Sequence, residues 1–229
     1  MAKAETIALA RAREDLYRFL GGLYVMEADA GQLAAMKRMT FPEIAGDSDS
    51  DRDLREGYEL LRGYLAAVTE DDLDDLAADY AKVFLAAGDA AGLAAFPYES
   101  VYVSKKHRVG GSTEMQMHAL YKARGREADP NVYRTVDDHI GLMLEYQGLL
   151  CGELADALEA GDAAKAEALL TEQREFLKKH LMNWALSFTA DVIRYAERDF
   201  YKGIARITSG FLKKEAELLE KGVSAWDIA

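Results

Sequence analysis

The sequence is poor in the residues that cross-link or interrupt a chain. Its 229 residues include one cysteine and three prolines. A single cysteine excludes an internal disulfide framework, and the position of Cys151 on an apolar helix side predicts a buried structural thiol. No apolar run is long enough to span a bilayer, and the first residues lack the apolar core of a secretory signal. We therefore expect a cytoplasmic protein without stable membrane insertion.

The sequence also lacks an excess of basic residues. The chain has 28 Lys and Arg residues against 40 Asp and Glu residues, which gives a formal net charge of −12. Binding to nucleic acid requires a cationic face that neutralises phosphates, so we expect no nucleic-acid partner. A large negative net charge favours solubility or binding to a cationic partner.

Helix-forming residues with helical apolar spacing fill most of the chain. Ala, Leu, Glu, Lys and Arg dominate, and no run alternates apolar and polar residues. Leu54, Tyr58, Leu61 and Leu65, for example, fall one above another on a single helix face. The pattern predicts a compact all-α protein of about nine or ten helices.

Two interruptions divide this helical pattern. A polar connection containing Pro130 predicts a boundary between an N-terminal helical subdomain, residues 1–130, and a C-terminal helical subdomain, residues 131–229. The periodicity also disappears between residues 86 and 113, which predicts a long loop in the first subdomain. Loops of that length in compact domains are usually functional or mobile.

Residues 135–150, TVDDHIGLMLEYQGLL, form the stretch around which we expect the site to be organised. Thr135 and Asp138 have capping-box spacing, which predicts Asp138 and His139 in the first turn of a helix. Exposed backbone N–H groups there favour a carboxylate, and the pair could hold a polar or cationic ligand group. The alternative is that Asp138 is only a cap and His139 a packing residue.

Motifs for catalysis are missing from the sequence. None of the four histidines lies in HExxH or in a Glu-x-x-His helix pair, and the chain has neither GxSxG nor a phosphate-binding GxxxxGK[ST] loop. We therefore expect the protein not to be an enzyme, with no catalytic residues, no metal site and no cofactor of its own.

Five segments, in order, resemble the TorD/DmsD type of redox-enzyme maturation chaperone. They are YAKVF (80–84), FPYESVY (96–102), VDDHIGLMLEY (136–146), FLKKHLMNW (176–184) and FYKGIARIT (200–208). The resemblance implies two helical subdomains joined by a hinge. It also implies a cytoplasmic chaperone that binds the twin-arginine signal peptide, the body, or both, of a molybdopterin-containing oxidoreductase precursor. Such a chaperone assists cofactor insertion and assembly before export.

The resemblance leaves the partner and the assembly partly open. The chain would act as a monomer or homodimer. An alternative is a helical protein-interaction module for a leaderless respiratory enzyme subunit, without catalysis.

The family has an EPxDH-like motif at its hinge, and residues 135–139 of this chain match it in the final Asp138-His139 pair but not in the Glu-Pro. A twin-arginine leader carries adjacent guanidinium groups followed by an apolar stretch, so its receptor needs acidic acceptors beside an apolar groove. Each aromatic candidate could equally be an ordinary core residue. The predicted peptide-binding residues are Asp138, His139, Tyr80, Phe84, Pro97, Glu99, Ser100, Tyr102, Glu145 and Trp184.

Overall fold

The structure is a computed structural model that describes residues 3–87, 94–126, 135–221 and 226. Across these ranges the chain forms ten α-helices and no β-strand, which confirms the predicted all-α fold. No helix in the same ranges combines the length and the apolar character needed to cross a membrane. The helices are α1 (Lys3–Val25), α2 (Ala30–Met36), α3 (Asp49–Ala67), α4 (Leu73–Leu85), α5 (Glu99–Val103), α6 (Ser112–Ala123), α7 (Ile140–Ala160), α8 (Ala163–Phe176), α9 (Ala185–Tyr195) and α10 (Asp199–Glu220). A 3₁₀ turn, Glu70–Asp72, precedes α4, and a π-helix, Leu177–Leu181, follows α8.

Two compact units make up the chain. Unit 1 contains residues 1–25, 98–184 and 215–229, and unit 2 contains residues 26–97 and 185–214. The subdomain boundary expected between residues 130 and 131 lies outside the described residues and stays a prediction, as does the hinge.

The start of α7 differs from the sequence prediction. This helix begins at Ile140, and His139 is its N-cap because Nδ1 of His139 accepts a hydrogen bond from the backbone N–H of Gly141 at 3.0 Å. The predicted capping box of Thr135 and Asp138 is therefore wrong. Asp138 precedes the helix, where its carboxylate is available to other segments.

The segment predicted as a loop, residues 86–113, contains regular structure. Its described part includes the five-residue helix α5 and ends at the first residues of α6. Gly110 and Gly111 precede α6 with φ values of +90° and +97°. This left-handed backbone suits glycine, and it turns the chain sharply into α6.

In unit 1, helices α1 and α7 approach closely through small residues. A Cβ atom added to Gly21 would lie 2.8 Å from the carbonyl oxygen of Gly141.

A buried ion pair joins α1 to the end of α10. The guanidinium of Arg13 donates to the carboxylate of Glu215 at 2.7 and 2.6 Å and to the side-chain oxygen of Gln173 at 2.8 Å. Breaking such a buried pair by removing one partner costs about 3–5 kcal/mol. The pair therefore holds the end of α10 against α1.

Cys151, the single cysteine, is buried in unit 1 as the sequence predicted. Burial raises the pKa of its thiol to about 12, so the thiol is protonated at neutral pH. A protonated, inaccessible thiol is a structural group rather than a nucleophile.

Unit 2 is held by close contact between α3 and α10. A Cβ atom added to Gly57 would lie 2.8 Å from both the backbone nitrogen and Cγ1 of Ile207. Beside this contact, the buried carboxylate of Asp53 accepts hydrogen bonds from Arg206 and Ser209, each at 2.8 Å. The absence of a side chain at Gly57 allows the two helix backbones to approach this closely.

Substituting Gly57 tests this close approach. We expect Gly57→Ala to lower the free energy of unfolding by about 1–3 kcal/mol, because the added methyl group overpacks the contact with Ile207. Gly63, on the same helix, is the matched control, since a Cβ there would meet nothing within 4 Å. Gly63→Ala should raise the free energy of unfolding by about 0.5–1 kcal/mol through helix propensity. Urea unfolding of both variants measures the difference, and equal effects would contradict the packing.

Candidate functional site

The motif residue Asp138 lies at the centre of a buried polar cluster. Its side chain is 0% exposed. Oδ2 accepts hydrogen bonds from the backbone N–H of Ser100 at 2.8 Å and from the hydroxyl of Thr113 at 3.2 Å. The backbone carbonyl of Asp138 accepts from the N–H of Glu99 at 3.0 Å. Asp138, two residues before α7, thus holds the first turn of α5 and the first turn of α6. We call Glu99, Ser100, Thr113, Asp138 and His139 the Asp138 cluster.

The second carboxylate oxygen of Asp138 has a different environment. Oδ1 is buried and accepts no hydrogen bond in the part of the chain that the structure describes. Nearly all buried polar atoms in proteins have a hydrogen-bond partner. A buried oxygen without one can therefore accept a hydrogen bond from a ligand. A donor group of a ligand that reached this oxygen would form a charge-assisted hydrogen bond.

His139 is a neutral member of the cluster. It forms an isolated antiparallel bridge with Tyr98, and the two ring centroids lie 5.2 Å apart. Burial lowers the pKa of His139 to about 3. Because Nδ1 accepts the hydrogen bond from Gly141, the ring proton is on Nε2. At neutral pH His139 therefore adds no positive charge that would repel a guanidinium group.

Glu99 connects the cluster to the π-helix. Its side chain is buried and accepts a hydrogen bond from the side-chain amide of Asn183 at 2.8 Å. Oε2 of Glu99 lies 3.2 Å from Nδ1 of His180, a residue of the π-helix. The indole N–H of Trp184 donates to the carbonyl of His180 at 2.7 Å. Single π-helical turns are rare and frequently occur at functional sites.

The other predicted site residues are divided between the units. In unit 1 the ring of half-buried Tyr102 lies 5.4 Å from the ring of buried Trp184, and Glu145 is half-buried on α7. In unit 2 the rings of Tyr80 and Phe84 lie 5.0 Å apart in the core, and Pro97 is also buried. The predicted residues found in unit 1 are Asp138, His139, Glu99, Ser100, Tyr102, Glu145 and Trp184. Contacts of a peptide with Tyr80, Phe84 or Pro97 stay a prediction that requires these buried side chains to become accessible.

Sequence analysis missed three partners of the buried carboxylates, which are Thr113, His180 and Asn183. Thr113 bonds to Asp138, which is 25 residues away, and Asn183 bonds to Glu99, which is 84 residues away. Only Thr113 has a local sequence feature that could have indicated its position, because the preceding Gly110-Gly111 pair predicts a sharp turn at the start of a helix. Nothing in the sequence around Asn183 indicates a distant carboxylate.

Comparison with known proteins identifies the class of this helical protein. The family model described as "Nitrate reductase delta subunit" matches residues 47–190, more than half of the chain. The chain belongs to this family.

Three individual relatives of the chain carry the name chaperone protein TorD. Chaperone protein TorD of Shewanella pealeana is 26% identical over 218 residues, which cover 92% of this chain and 90% of that protein. Chaperone protein TorD of Vibrio vulnificus is 25% identical, with 94% of this chain and 98% of that protein covered. The protein of the same name from Photobacterium profundum is 26% identical, with 94% and 97% covered. These findings confirm the resemblance to TorD-type maturation chaperones and agree with the expectation that the protein is not an enzyme.

Removing the Asp138 carboxylate tests its structural role. We expect Asp138→Ala to lower the free energy of unfolding by about 1–3 kcal/mol, because the buried N–H of Ser100 and hydroxyl of Thr113 lose their acceptor. Asp137→Ala is the neighbouring control. Its carboxylate is partly exposed and pairs with the exposed His118 at 2.8 Å, so the loss should stay below about 1 kcal/mol. Similar losses in urea unfolding for both variants would contradict the assignment.

The low pKa of His139 predicts a specific pH dependence. Because the folded protein binds the proton only near pH 3 and the unfolded chain near pH 6.5, His139 contributes stability above pH 6.5 that is lost as the pH falls. His139→Asn keeps a side-chain acceptor for the N-cap but does not titrate. Between pH 6.5 and pH 5.5, the parental protein should lose about 1 kcal/mol more unfolding free energy than this variant. Parallel pH profiles in urea unfolding would show that His139 is not buried in its neutral form.

Proposed function

We propose that the protein is a maturation chaperone for a molybdopterin-containing oxidoreductase. In this proposal it binds the twin-arginine leader of the enzyme precursor, the enzyme body, or both, and assists cofactor insertion and assembly before export. The observation that carries the proposal is the similarity to proteins named chaperone TorD over 92% and 94% of this chain. A similarity of that extent supports a shared mode of action for the whole helical chain rather than for one segment.

The residues of unit 1 support two kinds of role in leader binding. Asp138 and Glu99 are buried, so we propose that they hold α5 and the start of α6 in the binding-competent position. Asp137 and Glu145 reach the solvent, with Asp137 20% exposed, and could accept hydrogen bonds from guanidinium groups. The net charge of −12 adds a long-range attraction for a cationic leader.

Titration calorimetry with a synthetic leader tests this proposal. The ligand is the twin-arginine leader of a molybdoenzyme encoded beside this protein, and the comparison peptide has both arginines replaced by alanine. We expect the replacement to weaken binding by about tenfold or more, because hydrogen bonds to charged groups contribute about 1.5–3 kcal/mol. Asp137→Asn should also weaken binding of the native leader.

Asp15 provides the matched control for that variant. It is an exposed aspartate of unit 1 on α1, and it is not among the residues proposed to bind the arginines. Asp15→Asn should leave the affinity for the leader unchanged. Equal affinity for the native and the alanine-substituted peptide would contradict recognition of the arginine pair.

A second candidate function follows from the description of the family. That description names the family itself as a subunit of nitrate reductase. In this second candidate function the partner is another subunit of such an enzyme rather than a leader. Titration with a folded enzyme subunit that lacks a leader separates the two possibilities. Binding of that subunit, together with no binding of either peptide, would favour the interaction module over the leader-binding chaperone.

A further inference from the structure

The charge balance of the chain is reversed in one short loop of unit 1. Residues 105–108, KKHR, form the longest run of basic side chains in the sequence, and residues 100–113 contain no Asp or Glu. The side chains of Lys105, Lys106 and Arg108 are exposed and form no ion pair with the part of the chain that the structure describes. Three cationic groups are therefore available to a ligand, on a chain whose formal net charge is −12.

Hydrogen bonds hold this loop against α5. Nδ1 of the His107 ring donates to the carbonyl of Val101 at 2.8 Å, and the backbone N–H of Gly110 donates to the hydroxyl of Ser100 at 2.9 Å. His107 also has a φ of +47°, in the left-handed region that few residues other than glycine adopt. We call residues 103–109 the basic loop. Because its conformation is fixed before a ligand arrives, binding costs less conformational entropy than binding to a freely moving loop.

Exposed apolar side chains accompany the cations of the basic loop. Val103 and Val109, its first and last residues, are 42% and 47% exposed, and Met115 in the first turn of α6 is 72% exposed. Methionine and arginine are both enriched at protein interfaces, and the flexible side chain of methionine adapts to different partner surfaces. The loop and the start of α6 therefore offer a ligand apolar contacts beside the positive charge.

The basic loop has the wrong charge for the leader. A twin-arginine leader is cationic, and like charges placed opposite each other across an interface repel. The residues proposed to bind the arginines, Asp137 and Glu145, belong to other segments of unit 1. The ligand of the basic loop is therefore a second, anionic one, and its recognition goes beyond the proposed function.

Nucleic acids, anionic membranes and acidic proteins all carry negative charge. The first two present that charge over an area much larger than one loop, so they would also face the acidic remainder of a chain with a net charge of −12. An acidic protein segment can contact the loop alone, because exposed charges more than about 8–10 Å apart are largely screened at physiological salt. Apolar residues within such a segment also match Val103, Val109 and Met115. The observations therefore favour an acidic protein.

We propose that the basic loop is a docking surface for an acidic segment of a partner protein. In this complex, carboxylates of the segment pair with Lys105 and Lys106, and the guanidinium of Arg108 binds a further carboxylate through two parallel hydrogen bonds. An apolar side chain of the segment packs against Met115. The loop needs no rearrangement, since the hydrogen bonds that hold it against α5 do not use its three cations.

Fluorescence anisotropy with a defined peptide tests this docking surface. The probe is a labelled peptide of glutamate and leucine residues, and the reference peptide has every glutamate replaced by glutamine. We expect the reference peptide to bind more weakly by about tenfold or more, because it forms no charge-assisted hydrogen bonds. Added salt should weaken binding of the glutamate peptide by screening the ion pairs.

A charge-matched pair of variants locates the binding surface. Reversal of both loop lysines, Lys105→Glu with Lys106→Glu, should weaken binding of the glutamate peptide by about tenfold or more, since attraction becomes repulsion. Lys122→Glu with Lys165→Glu is the control, because both lysines are exposed in unit 1 and the net charge changes by the same amount. This control should bind the peptide almost as well as the parental protein. Unchanged circular dichroism melting curves show that both double variants are folded.

Met115→Ser separates the apolar contact from the ionic ones. The variant should bind the glutamate peptide several-fold more weakly, because one apolar contact is lost. It should bind like the parental protein when the leucines of the peptide are replaced by serine, since that peptide has no apolar side chain to place against Met115.

Two results would overturn the inference. One is that the glutamate peptide does not bind the parental protein, and the other is that the parental protein and the loop double variant bind it equally. If the peptide does not bind, but duplex DNA or phosphatidylserine vesicles bind in a way that depends on Lys105 and Lys106, the loop is assigned instead to a nucleic acid or a membrane. Failure of the leader to bind contradicts the proposed function alone, because the leader titration uses a different ligand.

Discussion

A carboxylate with no exposed surface fixes the geometry of the candidate site. Asp138 lies just before α7 and accepts hydrogen bonds from Ser100 and Thr113, two residues that a sharp turn separates. A short helix of five residues has little stability of its own, because helix nucleation is unfavourable and few hydrogen bonds follow it. The position of α5 therefore depends on its long-range partners, and the same carboxylate also holds the first turn of α6.

The sequence predicted the helices better than it predicted their connections. Apolar residues at helical spacing, such as Leu54, Tyr58 and Leu61, indicate a helix because burial of one face stabilises it whatever its neighbours are. The start of α7 was missed because His139 caps the helix through a ring nitrogen, whereas the usual N-cap residues are Ser, Thr, Asp and Asn. Local patterns also do not indicate that residues 1–25 and 215–229 belong to one unit.

The candidate site was predictable to the extent that its residues lie in recognisable segments. Glu99, Ser100, Asp138 and His139 were selected from two segments, and the structure brings them together within unit 1. Their burial was not predictable, because a sequence does not distinguish an acidic group that meets a ligand from one that holds a turn. Asn183 illustrates the remaining difficulty, since its importance follows only from the carboxylate that the fold places beside it.

The ion pair between Arg13 and Glu215 joins residues that are 202 positions apart. During synthesis from the amino terminus, α1 is complete long before its buried partner exists, and the guanidinium of Arg13 must remain hydrated until then. All of unit 2, residues 26–97 and 185–214, is translated between these two residues. Pairings of such high sequence separation form late, because chain closure costs entropy before the contact stabilises anything. Completion of the unit that holds the candidate site is thereby coupled to synthesis of the chain as far as Glu215.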